Sequence, residues 1–191
     1  MTRRRAIKLI TSLVVIVLLN FLYPYLQQLV SKSQTPIPAG SYLVKEAYDG
    51  DTIGVDMAGK LEKVRMIGVD TPETHKPNTP VQCYGPEASE FTRSHLLGKA
   101  VRLEADFTND NRDRYDRLLR YVYTADGTLW NKKLVQEGYG FAYLPFPFVK
   151  KVEFMSDQFT AAKNKKGLWA ACDPVSQDGR WQSNFLYESA E

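Results

Sequence analysis

The chain has 191 residues, enough for one domain with a buried core and a short additional segment. Hydrophobic residues make up 43%, charged residues 25% and aromatics 12%, which excludes a disordered, collagen-like or polytopic chain. The formal charge of +3 invites a nucleic-acid partner, but Arg3, Arg4, Arg5, Lys8 and Lys32 lie in residues 1–33, which hold no acid, so the 20 bases and 22 acids that remain leave residues 34–191 at −2. The basicity belongs to the leader.

That leader opens with a basic stretch, TRRRAIK, followed by the uncharged run LITSLVVIVLLNFLYPYLQQLV over residues 9–30. Its length would just span a bilayer core as a helix, although Asn20 and Pro24 soften its far end. Two readings compete for residues 1–33: an uncleaved signal-anchor and a cleaved signal peptide. Both place the rest of the chain outside the cytoplasm, membrane-anchored or secreted, because the arginines stay inside. Residues 34–41 are a Pro-containing linker.

The folded part starts near residue 42. Strands are expected over 42–48, 52–57 and 62–69, with turns at Asp49-Gly50 and at 58–60. A loop over 70–82 leads to a helix with Pro86 at its first position, running to about residue 97 and ended by Gly98. Strands at 101–107 and 118–123 flank the charged loop 108–117. A second helix is expected over 129–137. A third is expected over 149–165, with Val149, Val152, Phe159 and Ala162 at helical intervals. Residues 174–191 read as a polar, loosely held tail. Five short strands with interspersed helices imply an α+β domain with an antiparallel, closed sheet of the OB type.

Three clusters carry possible chemistry. Asp49-Gly50-Asp51-Thr52 reads on its own as a hairpin turn. Arg65 sits in an apolar strand whose end carries Asp70 and Glu73, and a charge there needs a partner or a solvated cleft. Arg112, Arg114 and Arg117 fall within six residues, which alone describes a solvated loop. Arg65 and Asp70 differ by five positions and have opposite strand parity, so periodicity does not bring them together: they share a site only if the strand curves or bulges, for which Gly68 is a candidate position, or if the arginine reaches over the gap. Cys83 and Cys172 permit one disulfide in an exported chain, or two small buried hydrophobes. With His75 and His95 far apart, no zinc cluster is present in the sequence.

Taken together, YDGDT (48–52), VRMIGVDTPET (64–74), YGPEASEFT (84–92), DRYDR (113–117), LVQEGYGFAY (134–143) and GLW (167–169) resemble the staphylococcal nuclease (thermonuclease) family. The resemblance spans roughly residues 42–170, and VDTPET followed by YGPEA is its most specific part. It implies a five-stranded OB-type β-barrel with three helices over residues 42–173, here preceded by an N-terminal hydrophobic helix. It implies Ca²⁺ as cofactor, with Asp51, Asp70 and Thr71 as metal ligands. It also implies Glu73 as the group that holds and deprotonates the attacking water, and Arg65 and Arg117 as the phosphate grips. Arg114, Tyr115 and Tyr143 match positions that contact the nucleotide. The implied activity is endonucleolytic hydrolysis of DNA, single-stranded or frayed preferred, and of RNA, with little sequence preference and 3′-phosphate products. The alternative is a non-catalytic, membrane-tethered nucleic-acid-binding module. The substrate is thus DNA and RNA, the membrane is a partner through residues 9–30 if they are uncleaved, and the enzyme is expected to be monomeric with no obligate protein partner.

Departures from the family pattern stand at Asp116, where a glycine is usual, and at Pro145, where a second tyrosine is usual. Asp116 either pairs with Arg117 and weakens its hold on phosphate or points to solvent. Phe146 and Phe148 either help Tyr143 stack on a base or form a core cluster under the third helix. By the same resemblance, exported relatives carry cysteines at such places, which implies a Cys83–Cys172 disulfide.

Overall fold

The computed structural model describes residues 16, 18–23, 39–74 and 80–185. The chain divides into two units, Met1–Pro36 and Ile37–Glu191. In the first, positions 16 and 18–23 are helical, and the Asn20 Nδ2 donates to the Ile16 carbonyl (3.0 Å). The rest of the leader, most of the linker, His75 and the last six residues of the tail lie outside the described residues. Among those described, no helix is long and apolar enough to cross a membrane.

The second unit is built on a closed barrel of five strands, β1 (Ser41–Asp49), β2 (Thr52–Met57), β3 (Lys60–Met66), β5 (Ala100–Glu104) and β6 (Leu118–Tyr123), ordered β1-β2-β3-β6-β5. This is the α+β, OB-type barrel expected from the sequence. The sheet is not wholly antiparallel: β3 and β6 run parallel, with Arg65 opposite Leu119, and the other neighbours are antiparallel. Closure hides every edge. Branched residues of alternate parity (Val44, Ile53, Val55, Val64, Val101 and Val122) fill the interior, each fully buried. Two short strands outside the barrel, β4 (Val69–Asp70) and β7 (Phe141–Ala142), pair antiparallel with Asp70 opposite Phe141.

Helices α1 (Gly85–Leu96), α2 (Trp130–Gln136) and α3 (Lys151–Lys163) match the three expected, and α4 (Leu168–Ala171) adds one turn at the GLW motif. In α1, Pro86 occupies the first turn, where its missing N–H is not needed. In α3 the expected apolar stripe does not face inward. Val152 is 80% and Phe159 70% exposed, Val149 precedes the helix, and Phe154, Gln158 and Ala161 are the buried face. Gln158 takes an inward position because its Oε1 accepts the Ala142 N–H (2.8 Å) at the start of the loop that leaves β7. Phe154 meets Phe148 edge-on, with ring centroids 5.4 Å apart.

The tail also differs from expectation. Residues of β8 (Val175–Gln177) and β9 (Arg180–Gln182) form a hairpin rather than a loose segment. Cys83 and Cys172 are joined by a disulfide, with Cα atoms 6.0 Å apart.

Candidate active site

The site grows from the end of β3. After Met66 the chain turns at Ile67-Gly68 and leaves the barrel as β4. Gly68 has φ +76°, and a Cβ there would lie 2.6 Å from the Phe148 ring, so both its handedness and its neighbour demand glycine. Buried Asn131 of α2 clamps the turn from behind. Its Nδ2 donates to the carbonyls of Ile67 (2.9 Å) and Arg120 (3.1 Å), and its Oδ1 accepts the Val122 N–H (2.8 Å). The bend answers the parity problem. Arg65 reaches along it, its Nη1 donating to the Val69 carbonyl (2.8 Å) and its Nη2 to Asp70 Oδ1 (2.8 Å).

The β1–β2 turn supplies the second acid. Asp49 and Thr52 are paired, so Gly50-Asp51 is a two-residue loop. Gly50 is pressed against Thr71, where a Cβ would sit 2.8 Å from Cγ2, and its carbonyl accepts the buried Thr92 hydroxyl of α1 (2.5 Å). Asp51 is thereby fixed facing Arg65 (Nη1 to Oδ2, 2.7 Å), and its Oδ2 also accepts the Thr71 N–H (2.9 Å). One guanidinium therefore holds two acids that lie 19 residues apart in the sequence.

The electrostatics are strained toward negative charge. Burial raises the pKa of Asp51, and repulsion from Asp70 adds to that, against the opposing pull of Arg65. Asp49 is pushed up to about 8 by burial, by Asp51 and by contact with Glu73. Burial disfavours the charged guanidinium of Arg65, but Asp51, Asp70 and Asp49 outweigh it and hold its pKa above the ordinary value. Glu73 is seated at the start of the next loop by its own N–H, which donates to Gln82 Oε1 (2.7 Å).

An all-oxygen donor set with this surplus of acid suits a hard divalent cation. The Thr71 Oγ1, buried beside Gly50, has no hydrogen-bond partner among the described residues. Among the described residues, no three His, Cys, Asp or Glu side chains are arranged to hold a metal by themselves. An ion here would rest on Asp51, Asp70, a main-chain oxygen of Thr71 and water.

The third motif forms a separate rim. Arg117 lies two residues upstream of Leu119, the partner of Arg65 on β3. Its Nε donates to Asp113 Oδ2 (2.7 Å), and Asp113 Oδ1 accepts the N–H groups of Tyr115 (2.9 Å) and Arg117 (3.0 Å). Asp116 does not pair with Arg117: it is 85% exposed and approaches Arg112 (3.5 Å). Its φ of +62° gives a physical reason for the family's glycine, and aspartate is among the few residues that tolerate that region. Arg114 lies over the Tyr115 ring (4.8 Å) and donates to its hydroxyl (2.7 Å).

Tyr143 is placed by its N–H, which donates to the Gly68 carbonyl (2.9 Å), so it stands beside the Arg65–Asp70 bend. The two phenylalanines divide between the expected roles. Phe148 is core, whereas Phe146 is 60% exposed with its ring 5.9 Å from that of Tyr143. Two shallow hollows on the α1 face, lined in part by Tyr84, Phe91 and Tyr139, contain none of the site residues.

Sequence reading alone did not single out Asn131, Thr92 or Arg180. Asn131 is an isolated polar residue in a helical segment and carries no local signal, and Thr92 closes the YGPEASEFT run without anything that marks it as the residue fastening Gly50. Arg180 follows Asp178-Gly179, a hairpin dipeptide that was legible. Its Nη2 donates to Asp70 Oδ2 (3.0 Å), and its guanidinium lies 5.3 Å from the centroid of the Tyr143 ring.

Comparison with known proteins identifies the family of the chain. A family model described as staphylococcal nuclease homologue matches residues 63–171. The chain is 45% identical over 155 residues to a thermonuclease of Staphylococcus intermedius, covering 81% of this chain and 90% of that one. It is 48% identical over 133 residues to a thermonuclease of Staphylococcus hyicus, covering 68% and 76% respectively. To the endonuclease YncB of Bacillus subtilis it is 41% identical over 135 residues, covering 70% and 63%. A match of that extent over the barrel and its bent third strand settles the family: the chain belongs to the staphylococcal nuclease family and is a nuclease.

Proposed function

We propose that this nuclease is a Ca²⁺-dependent endonuclease acting on DNA, single-stranded or frayed preferred, and on RNA, with little sequence preference and 3′-phosphate products. The observation that carries the reading is the bridge of Asp51 and Asp70 by one guanidinium, with Glu73 three residues beyond Asp70 and fastened by its N–H to Gln82. Asp51, Asp70 and the Thr71 carbonyl would hold the ion. When bound, it supplies Lewis-acid polarisation of a phosphoryl oxygen and lowers the pKa of a coordinated water. With only two direct carboxylates, affinity should fall in the weak range of extracellular modules, roughly 10⁻⁴–10⁻³ M.

Glu73 orients the attacking water and takes its proton as the new P–O bond forms and the P–O5′ bond breaks, the 5′-oxygen leaving with a proton from solvent as a hydroxyl. Arg65 and Arg117 meet the phosphoryl oxygens, where the planar guanidinium matches two oxygens at once and charge accumulates in the transition state. Arg114, Tyr115 and Tyr143 bind the neighbouring phosphate and base. Because residues 34–191 carry −2, these local cations and the metal supply the attraction for the polyanion, and affinity should be modest and salt-sensitive.

Export is part of the proposal, with residues 9–30 serving as anchor or signal. The Cys83–Cys172 disulfide supports it, since such bonds persist in oxidising compartments. Digestion of denatured DNA by the full chain tests the activity, run with Ca²⁺, with EGTA and with Glu73→Gln. Cleavage only by the wild type with Ca²⁺ is expected. Cleavage indifferent to both changes would rule out the mechanism, and binding without any cleavage would favour the non-catalytic module. N-terminal sequencing of the mature protein decides between anchor and signal peptide.

A further inference from the structure

The C-terminal hairpin lies beyond residue 171, where the match to the family model ends, yet it returns to the site. Asp178 (φ 48°) and Gly179 (φ 77°) turn β8 into β9 with two left-handed residues, the arrangement that fits a two-residue hairpin loop. Both ends are fastened to the same place. Cys172, just before β8, is bonded to Cys83. After β9, the Ser183 hydroxyl donates to the Cys83 carbonyl (2.7 Å), and the Cys83 N–H donates to the Asn184 carbonyl (2.7 Å). Trp181 meets Trp169 edge-on with centroids 5.1 Å apart. Arg180 is therefore presented from an anchored element rather than a drifting tail.

The two arginines on Asp70 are unlike. Arg65 occupies Oδ1, its side chain is 14% exposed, and its amino groups also engage Asp51 and the Met66 and Val69 carbonyls. Arg180 occupies Oδ2, its side chain is 45% exposed, its guanidinium lies beside the Tyr143 ring, and among the described residues the Asp70 contact is its one side-chain hydrogen bond, which leaves donors of its fork unspent. A nucleic-acid chain approaching the site meets the partly exposed carboxylates of Asp49, Asp70 and Glu73, in a domain without net positive charge. A guanidinium with unspent donors at its edge has a clear partner in a backbone phosphate.

We infer that Arg180 is a substrate-binding residue: the C-terminal hairpin is a wall of the nucleic-acid groove, and its arginine takes a backbone phosphate next to the nucleotide at Tyr143. This rests on the proposed nuclease function. It supplies affinity and register without sequence preference, because it addresses phosphate and a π-face rather than base edges.

The test uses the full chain carrying Glu73→Gln, so that substrate is bound and not cut. Anisotropy of a short fluorescein-labelled single-stranded DNA is measured with Ca²⁺ from 50 to 200 mM salt. Adding Arg180→Ala should weaken binding about tenfold at the low-salt end. It should also make the slope of log K against log salt shallower by about 0.7, the value for one single-strand phosphate. Arg180→Lys should keep the slope and lose part of the affinity, while Arg93→Ala, on the exposed face of α1, should change neither. In the cleaving enzyme, Arg180→Ala should raise KM about tenfold and leave kcat within about twofold. An unchanged affinity and slope overturn the inference, as do tighter binding or faster cleavage by Arg180→Ala, which would mark the arginine as a plug on Asp70. If the wild type fails to cut, the nuclease reading falls, whereas the binding loss in Arg180→Ala still decides the role of the hairpin.

Discussion

The bend at the end of β3 and the rim around it are held in different ways. At the bend, Arg65, Asp51 and the Ile67-Gly68 turn are over-determined by buried hydrogen bonds from Asn131, Thr92 and Thr71. At the rim, Arg114, Arg117, Phe146 and Arg180 are partly exposed and rest on single ion pairs, ring contacts or one hairpin. A reacting centre tolerates little displacement, since misplacement by about 1 Å can cost on the order of 10²-fold in rate. A surface that follows a flexible polymer gains from side chains that can adjust. The molecule puts its buried polar groups where geometry decides the rate and its exposed ones where geometry must yield.

Breaking the bend should therefore give the largest effects. Glu73→Gln removes the proton acceptor and should lower kcat by about 10²–10⁴-fold with thermal stability little changed. A variant that still cuts at near wild-type rate would remove Glu73 from the chemistry. Asn131→Ala strands the Val122 N–H and the Ile67 carbonyl in the interior, while the Arg120 carbonyl keeps the Ile67 N–H (3.0 Å), so a loss of about 2–6 kcal/mol is expected in urea unfolding, at about 1–3 kcal/mol for each buried group left unmet. Outside the bend, reduction of Cys83–Cys172, which fastens the hairpin of the rim, releases a constraint across 89 residues and should cost about 2–4 kcal/mol, with hydrogen exchange rising first over residues 175–185.

The rim should respond more gently. Arg117→Lys keeps the charge and loses the planar fork that Asp113 now orients, so about a tenfold fall in kcat/KM is expected, with unfolding unaltered. A loss as large as that of Glu73→Gln would mean that Arg117 belongs with the bend and that the division is drawn in the wrong place.

The barrel was legible because alternation, turn dipeptides and Pro86 are local signals, and all five barrel strands overlap their expected positions. The motif residues could be read, but not their convergence. Strand parity sets Arg65 and Asp70 on opposite faces, and only the left-handed Gly68, backed by Phe148 and Asn131, reverses that. Periodicity failed in α3 because a polar residue, Gln158, occupies an inward position for its hydrogen bond to Ala142, which leaves Val152 and Phe159 outside. The hairpin at 175–182 was missed for a different reason. Its strands are three residues each and largely exposed, so hydrophobic pattern is silent, and only Asp178-Gly179 marked it.

The smallest effect lies far from the chemistry, in the loop that ties β5 to the start of α3. Burial of Asp106 would raise its pKa, but hydrogen bonds from the Tyr121 hydroxyl (2.6 Å), Thr108 and the Val149 N–H (2.7 Å) outweigh burial and hold it below the usual carboxylate value. A carboxylate whose folded pKa is depressed adds stability that is present above its unfolded pKa, near 3.8, and is lost as pH falls through the folded value. The wild type should therefore exceed Asp106→Asn in Tm at neutral pH, and the gap should close below about pH 4. A constant gap down to pH 2.5 would show that the bonds act through shape and not charge. Nucleolytic rate at neutral pH should be the same in both, because Asp106 holds Val149 and Tyr121 rather than any group that meets the phosphate.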